Sequence, residues 1–320
     1  MYNLADNFVG ALLGTAVGDA LGMPIEGFSF EVLRSLGVRV NQMIDGRLKA
    51  GSYTDDTEMT ICIAESIADN GSLDLDDIAT RFILQWDPRR GYGFGTVTVL
   101  EWMRSGIPWR DASKRLFSGG SYGNGAAMRT SAVALHYFSD ESALREASRS
   151  VATITHYHPL GIQGAEIMAV SASMALRSSA EKAIDPDEFL SSLIENTTEE
   201  EFMEKLRHTQ ELLQRRSSEE EVVELLGNGA TAHGSVPASI YCFLANLDSF
   251  EDAVVQAINL GGDTDTIGAM TGALSGAYHG KTGIPGRWLE SLENGPKGRD
   301  YIERLGVRLW QLKSGDPDAV

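Results

Sequence analysis

Apolar side chains recur at helical spacing along most of the chain. Residues 57–69 place them on one face of a helix, and the segments 162–177 and 199–226 show the same period. Acidic runs at residues 199–201 and 219–221 are typical of first helical turns, where carboxylates interact favourably with the helix dipole. This pattern predicts a nearly all-α protein.

Strand-like alternation is almost absent. Residues 38–40 (Val-Arg-Val) form the best period-two segment, and the segment is short. The chain has no clear linker, because the polar stretch 178–200 has apolar helical segments on both sides. The length would suit about two average domains or one large one. We predict one domain over residues 1–320.

Two predicted helices carry glycine at every fourth position. The two series are Gly10, Gly14, Gly18 and Gly22, then Gly268, Gly272 and Gly276. Each glycine inside a helix costs about 1 kcal/mol relative to alanine, so a series on one face needs a packing reason. Spacing of four aligns the glycines, and their small size permits close approach of two backbones. We predict that these helices are central and tightly packed.

Charge and cysteine content narrow the classes of function. The 320 residues carry a formal net charge of −18, so phosphate repulsion argues against duplex nucleic acid as a partner. A small anionic ligand at a local site stays compatible with this charge. Cys62 and Cys242 lie far apart, each inside an apolar run, which predicts two buried, reduced thiols.

The N-terminal segment does not have the pattern of a secretory signal. It has no basic residue ahead of its apolar stretch and carries Asp6 instead. The chain contains no run of about 18 uncharged apolar residues, so the sequence does not predict a membrane-spanning helix. We therefore expect a cytoplasmic protein that does not contact a membrane.

Acidic residues cluster at two points, each just before a predicted helix. The clusters are Thr54-Asp55-Asp56-Thr57 and Asp263-Thr264-Asp265-Thr266, the second preceded by Gly261-Gly262. Helix capping would explain one acid in each cluster. Two adjacent acids, or two acids separated by one threonine, offer more oxygen atoms than a cap needs. The alternative to capping is a shared site for a hard cation.

Oxygen-only ligands favour Mg²⁺, Mn²⁺ or Ca²⁺ over zinc. The pattern of an EF-hand loop is absent from the sequence. If the two clusters meet, their carboxylates repel one another strongly unless cations lie between them. Two such clusters therefore suit a two-metal site.

Two further stretches predict turns. Gly123-Asn124-Gly125 is followed by a helical segment whose free N–H groups would suit a phosphate, with an ordinary loop as the alternative. The glycine-rich residues 91–95 are not a dinucleotide fingerprint, because no strand precedes them. His156 and His158 lie two apart, which favours a structural or hydrogen-bonding role over metal binding. Serine-hydrolase, Walker and HExxH motifs are absent.

Together these motifs resemble the ADP-ribosylglycohydrolase family, which includes the dinitrogenase-reductase-activating glycohydrolases, the vertebrate ADP-ribosylarginine and ADP-ribosylserine hydrolases and the J1 crystallins. The resemblance covers nearly the whole chain, and its motifs follow the family's order. They are Gly18-Asp19-Ala20-Leu21-Gly22 with Glu26, Thr54-Asp55-Asp56-Thr57, Gly91-Tyr92-Gly93, Tyr122-Gly123-Asn124-Gly125 with Met128-Arg129, Thr155-His156 with His158-Pro159, and Gly262-Asp263-Thr264-Asp265-Thr266.

The resemblance implies a compact all-α domain, an orthogonal helix bundle, with two Mg²⁺ or Mn²⁺ ions in a cleft. The implied metal ligands are Glu26, Thr54, Asp55, Asp56, Asp263, Asp265 and Thr266. The implied residues of the ADP-ribose pocket are Asp55, Gly93, Ser121, Tyr122, Gly123, Asn124, Gly125, Met128, Arg129 and His156. Glu26, Asp56 and Asp263 are the candidate catalytic residues.

The reaction implied is hydrolysis of an ADP-ribosyl bond at the anomeric carbon of the distal ribose, through an oxocarbenium-like state. The substrate would be an ADP-ribosylated protein or small molecule. Arginine-cleaving members carry an acid where this chain has Gly95, which weakens the case for an arginine linkage.

Three other functions fit part of the pattern. They are a non-catalytic, J1-crystallin-like protein that binds ADP-ribose, a deacylase of O-acetyl-ADP-ribose, and a metal-dependent phosphohydrolase. Oxygen donors occupy every implied ligand position, which argues against the non-catalytic relative.

Overall fold

The structure is a computed structural model that describes residues 4–181, 183–316 and 318. In these residues the chain is 70% helical, with 17 α-helices and no strand. The helices are α1 (Ala5–Gly22), α2 (Phe30–Ser35), α3 (Asp55–Asn70), α4 (Leu75–Gln85), α5 (Phe94–Arg104), α6 (Trp109–Arg115), α7 (Ser131–Tyr137), α8 (Glu141–Ala152), α9 (Pro159–Glu181), α10 (Pro186–Glu195), α11 (Glu200–Arg215), α12 (Glu219–Leu226), α13 (Ala232–Ala245), α14 (Phe250–Asn259), α15 (Thr264–His279), α16 (Gly286–Ser291) and α17 (Arg299–Ser314). The all-α prediction is confirmed.

The strand candidate at residues 38–40 lies instead in the irregular segment between α2 and α3. A side chain satisfies the backbone of Val40, since Asn259 accepts from its N–H at 2.9 Å and donates to its carbonyl at 2.8 Å. A strand partner is therefore not needed there.

The periodic segment 199–226 forms two helices, α11 and α12. The first ends at Arg215, and the next residue, Arg216, adopts a left-handed conformation with φ of 52°. The second begins after Ser218, which forms a reciprocal capping pair with Glu221. The two acidic runs lie at or next to the starts of these helices, as the sequence predicted.

The two glycine-rich helices, α1 and α15, form the most extensive helix pair of the described core. A Cβ added at Gly14 would overlap the carbonyl of Gly272, and one added at Gly18 would overlap the carbonyl of Gly268. Gly10 meets Gly276 in the same way, so the helices run antiparallel with their backbones in direct contact. The prediction of a central, tightly packed pair is confirmed.

Helix α1 is nearly enclosed by the rest of the protein. Residues Ala5–Ile25 have the length and mean hydropathy, 1.5, of a membrane-spanning helix, yet 94% of that window is buried inside the protein. The buried thiols of Cys62 on α3 and Cys242 on α13 are free, as predicted, and burial raises the pKa of both.

Candidate active site

The first acidic cluster lies at the N-terminus of α3, but other residues cap that helix. The Thr54 hydroxyl accepts from the Asp56 N–H at 3.4 Å. Asp19 on α1 accepts the backbone N–H of Thr54 at 2.9 Å and that of Thr57 at 3.1 Å, and the Thr57 hydroxyl donates to it at 2.6 Å. The carboxylates of Asp55 and Asp56 are therefore available to the cleft.

The second acidic cluster opens α15. Asp263 is the N-cap residue, yet its side chain makes no capping bond and instead accepts from Asn124 Nδ2 at 2.6 Å. Gly262 has a φ of 76°, and a Cβ there would overlap the carbonyl of Asn228, so glycine is required for this turn. The Asp265 carboxylate accepts the Thr266 N–H at 2.9 Å, so capping of the helix start accounts for one acid of this cluster and not for Asp263.

The contact between α1 and α15 brings the clusters together. The Thr266 hydroxyl lies 3.5 Å from Asp56 Oδ2, which also accepts from the Thr54 hydroxyl at 3.1 Å. Glu26, in the turn after α1, offers a carboxylate oxygen within 4.8 Å of oxygens from Asp263 and Asp265. The sequence-predicted acidic residues therefore share one site.

Burial and mutual repulsion raise the pKa of the clustered carboxyls. The pKa of Asp56 lies well above 3.8, first because of burial and then because of the charges of Asp19 and Asp55. The pKa of Asp265 is raised by burial and then by Asp263. Burial raises the pKa of Asp19 to about 6. Such a group of acids is stable only with bound protons or cations.

The donor set fits a hard divalent cation. Its atoms are carboxylate and hydroxyl oxygens, the ligands that Mg²⁺ and Mn²⁺ prefer. Asp56 Oδ1 is buried and has no hydrogen-bond partner in the part of the chain that the structure describes. An unsatisfied buried acceptor costs about 1–3 kcal/mol, and a bound cation would remove that cost. The cluster of Glu26, Asp263 and Asp265 is a candidate metal-binding group.

A cavity of about 240 Å³ joins the acidic clusters to the glycine-rich turns. Its lining is Glu26, Asp55, Asp56, Gly91, Gly93, Gly95, Thr96, Phe117, Ser121, Gly123, Asn124, Gly125, Met128, His156, Ala230, Asp263, Asp265 and Thr266. Thirteen sequence-predicted residues are in this set, whereas Thr54, Tyr122 and Arg129 lie outside it.

His156 reaches the cavity as a neutral donor. Arg129 Nη2 donates to the Thr155 hydroxyl at 2.8 Å, and that hydroxyl lies 2.8 Å from His156 Nδ1. This network assigns the ring proton to Nε2, on the side of Gly123 and Gly125. Burial, and then the charge of Arg129, lower the pKa of His156 to about 3.

Arg129 itself lies behind the cavity wall. Its side chain is fully buried, and its guanidinium lies 4.8 Å from the centre of the Phe82 ring. Arg129 therefore does not line the cavity, and it is linked to the lining only through Thr155 and His156. Tyr122 also turns away from the lining, and its ring packs 5.4 Å from that of His158.

Several residues of the site were not predicted from the sequence. Asp19 was recognisable, because an acid in the middle of an apolar helix needs a buried partner. Phe117 lines the cavity, is 58% exposed as a residue and has a φ of 53°, but no local sequence pattern marks it. Arg47 bonds Glu26 and Asp265 from an irregular segment that has no periodicity.

Comparison with known proteins identifies the family. Residues 1–319 match the sequence profile of ADP-ribosylglycohydrolase. Human ADP-ribosylhydrolase ARH3 is 34% identical over 95% of this chain and 93% of its own length. The ADP-ribosyl-[dinitrogen reductase] glycohydrolase of Rhodospirillum rubrum is 30% identical over 90% of each chain. A solved structure, an ADP-ribosylglycohydrolase-related protein complex, has a TM-score of 0.79 and 28% identity, covering 98% of this chain and 100% of that one. The chain therefore belongs to the ADP-ribosylglycohydrolase family and is a glycohydrolase, as the resemblance predicted.

Proposed function

We propose that this protein hydrolyses the bond between the anomeric carbon of an ADP-ribosyl group and the atom that carries the group, using two Mg²⁺ or Mn²⁺ ions. The observation that carries the proposal is the convergence of both acidic clusters on one cavity, with a buried Asp56 oxygen left unpartnered. The relative from Rhodospirillum rubrum is named for an ADP-ribosylated protein, which suggests a protein substrate here.

The proposed metal ligands come from both clusters and from the turn after α1. They are Glu26, Thr54, Asp55, Asp56, Asp263, Asp265 and Thr266. The bound ions would supply positive charge that orients ribose hydroxyls and polarises water. Thr54 fits this set through its neighbour, because its hydroxyl bonds Asp56 Oδ2 and holds that carboxylate at the cavity.

Hydrolysis needs one group to take a proton from water and another to give a proton to the leaving atom. Glu26, Asp56 and Asp263 line the cavity and are the candidates. The side chain of Glu26 is partly exposed, so it can exchange protons with solvent. Asp56 is buried and Asp263 accepts a bond from Asn124, so each can keep a fixed position relative to Glu26. We assign proton transfer to Glu26 and an aspartate of the clusters.

The remaining lining suits the other parts of ADP-ribose. Gly123 and Gly125 leave backbone open to the cavity, since a Cβ on either would crowd His156. The neutral His156 Nε2–H can donate to a phosphate or ribose oxygen without holding a counter-charge there. The exposed ring of Phe117 offers an aromatic face for the base.

The wall at Gly95 bears on the linkage that is cleaved. Gly95 lines the cavity, and an added Cβ would lie 3.0 Å from Leu116 Cδ2, so a side chain there would need Leu116 to move. This position offers no carboxylate to a guanidinium leaving group. We therefore propose an oxygen-linked ADP-ribosyl substrate, such as a serine O-glycoside or a small-molecule conjugate, over an arginine linkage.

A thermal-shift screen tests the proposal. ADP-ribose is compared with ADP and ribose 5-phosphate, each with and without Mg²⁺ or Mn²⁺. At equal ligand concentration, a ligand that binds the folded state more tightly raises the melting temperature more, so ADP-ribose with metal should give the largest rise. Failure of ADP-ribose to stabilise the protein under any metal would contradict the proposal. Peptides with Arg-, Ser- and Asp-linked ADP-ribose then separate the linkages, and binding without turnover of any of them would indicate a non-catalytic protein.

A further inference from the structure

Arg47 places a guanidinium inside the acidic cluster. It comes from the irregular segment between α2 and α3. Its Nη2 donates to Glu26 Oε2 at 2.7 Å and to Asp265 Oδ2 at 3.1 Å, and its Nε donates to the same Glu26 oxygen at 3.0 Å. Two of the three acids in the candidate metal-binding group are therefore already paired with a cation of the chain itself.

The surrounding chain leaves a defined position for this guanidinium. Arg47 Nη1 donates to the carbonyl of Arg90 at 3.2 Å. The next residue, Gly91, has a φ of 91°, and a Cβ added there would overlap the guanidinium. Any other residue at position 91 would therefore displace Arg47. The Arg47 side chain is 33% exposed, so it also has a path into solvent.

A guanidinium and a divalent ion compete for the same carboxylates. Like charges a few ångströms apart repel strongly at the edge of a protein, and each oxygen has few free lone pairs. Glu26 Oε2 already accepts two bonds from Arg47. An ion bound between Glu26 and Asp265 would place a second positive charge beside the guanidinium, and the repulsion would oppose these bonds.

We propose that Arg47 is a displaceable internal counter-ion, which holds Glu26 and Asp265 together in the ion-free protein and leaves when a divalent cation binds there. Arg47 thus sets the metal affinity of the site and keeps the acids compatible with folding before metal arrives. This inference rests on the proposed metal binding.

Titration with Mn²⁺ followed by calorimetry tests this role directly. Arg47→Met removes the charge and keeps an apolar stem of similar reach. We expect it to bind Mn²⁺ about tenfold more tightly than the wild-type protein, since a competitor is gone. Arg89→Met is the matched control, because Arg89 pairs with Asp87 at the surface with its side chain 83% exposed, and its loss changes the net charge by the same unit.

The outcomes distinguish the proposed metal binding from the proposed role of Arg47. A wild-type protein that binds no Mn²⁺ contradicts the proposed metal function itself. Wild-type binding with equal or weaker binding by Arg47→Met contradicts only the role of Arg47. A gain in both Arg47→Met and Arg89→Met would also overturn it, because the effect would then be general charge.

Thermal melting gives a second readout. Without ions, Arg47→Met should melt below the wild-type protein, because Glu26 and Asp265 lose their counter-ion. With Mn²⁺, its melting temperature should rise by more than that of the wild-type protein. If Arg47→Met does not fold without ions, Arg47→Lys replaces it: its single ammonium cannot reproduce the forked contact, so it should show tighter Mn²⁺ binding by a smaller factor. Unchanged binding by Arg47→Lys in that case overturns the inference.

Discussion

The acidic side of the cleft and its neutral side are built in different ways. The acids project from the ends of α1, α3 and α15, and direct backbone contact between α1 and α15 fixes where those ends lie. The neutral side consists of turns at residues 91–95 and 121–125, together with His156. Charges that repel one another are carried on the most rigid elements of the protein, whereas loops shape the rest of the pocket.

The protein environment also shifts the pKa values of the ionisable groups on the two sides in opposite directions. On the acidic side, burial and repulsion raise the pKa of Asp55, Asp56 and Asp265, so protons or cations must neutralise them. On the neutral side, burial and Arg129 lower the pKa of His156, so its ring stays uncharged. The pocket therefore places a cluster of buried acids beside a surface that offers hydrogen bonds without charge.

The largest expected effect comes from separating α1 and α15. Gly14→Leu or Gly272→Leu would drive a side chain into the carbonyl of the facing helix. Overpacking a core costs about 1–3 kcal/mol or more, and a clash with backbone leaves no flexible neighbour to yield. Against a typical stability of about 5–15 kcal/mol, we expect each variant to unfold or become insoluble. Soluble yield and thermal melting are the measurements.

The matched control is Gly286→Leu at the start of α16, where an added Cβ meets no other atom within 4 Å. It should melt near the wild-type temperature. Wild-type melting of Gly14→Leu and Gly272→Leu would show that the acidic side does not depend on this helix contact.

The next largest effect is expected from a substitution that removes one carboxylate charge from the acidic side. Asp56→Asn should weaken Mn²⁺ binding by at least about a hundredfold, since it replaces a proposed ligand. The same change should raise the melting temperature of the ion-free protein, because the charge repelled by Asp19 and Asp55 is gone. Calorimetry and melting without ions measure the two effects.

Asp111→Asn, at an exposed position on α6, is the control and should change neither quantity. Retained Mn²⁺ binding in Asp56→Asn would remove this residue from the metal site. A lower ion-free melting temperature would show that the Asp56 charge is stabilised, not strained, in the folded protein.

Much of the acidic side could be predicted from sequence, because its parts are local patterns. The glycine spacing predicted the helix pair, and the paired acids predicted the acidic cluster that we propose as the cation site. The cap on α3 could not be assigned in the same way, because Asp19 is 35 residues from Thr54 and the link depends on how α1 packs. Arg47 was missed because irregular backbone between α2 and α3 carries it to Glu26.

The neutral side shows why a motif does not give the direction of a side chain. Met128 and Arg129 are neighbours in one motif, yet Met128 lines the cavity and Arg129 is buried behind it. In a short turn, each residue's direction depends on local dihedral angles that have no period in the sequence. Phe117 illustrates the same limit, since its left-handed φ follows from the path of the turn.

A pH series sharpens the contrast between the two sides. Because the carboxyl pKa of Asp19 is raised to about 6, and those of Asp55, Asp56 and Asp265 lie well above 3.8, the folded state keeps protons that the unfolded chain has lost. The ion-free protein should therefore lose stability as pH rises from about 4 through these raised pKa values, by about 1.4 kcal/mol for each unit of elevation.

On the neutral side, His156 has the opposite effect on the pH dependence of stability. Because burial lowers the pKa of His156 to about 3, the unfolded chain binds a proton that the folded protein excludes, so this residue lowers stability as pH falls below about 6.5. Melting of the ion-free protein from pH 5 to pH 8 measures the balance, and Mn²⁺ should add more stability at pH 8. Equal Mn²⁺ stabilisation at both pH values would contradict the account of the acidic side.

The smallest effect is expected from breaking the hydrogen-bonded link from Arg129 through Thr155 to His156. Arg129→Met removes the donor to Thr155, so the Thr155 hydroxyl loses the bond that orients it towards His156 Nδ1. Loss of one such bond is worth about 1 kcal/mol, or roughly fivefold in the dissociation constant of ADP-ribose. Stability should change little, because no carboxylate among the described residues pairs with Arg129 and a buried unpaired charge is costly.

Thr155→Val interrupts the same link from its other end and should weaken ADP-ribose binding by a similar factor. Unchanged affinity in both variants would mean that the ring is held by packing against Gly123 and Gly125 alone.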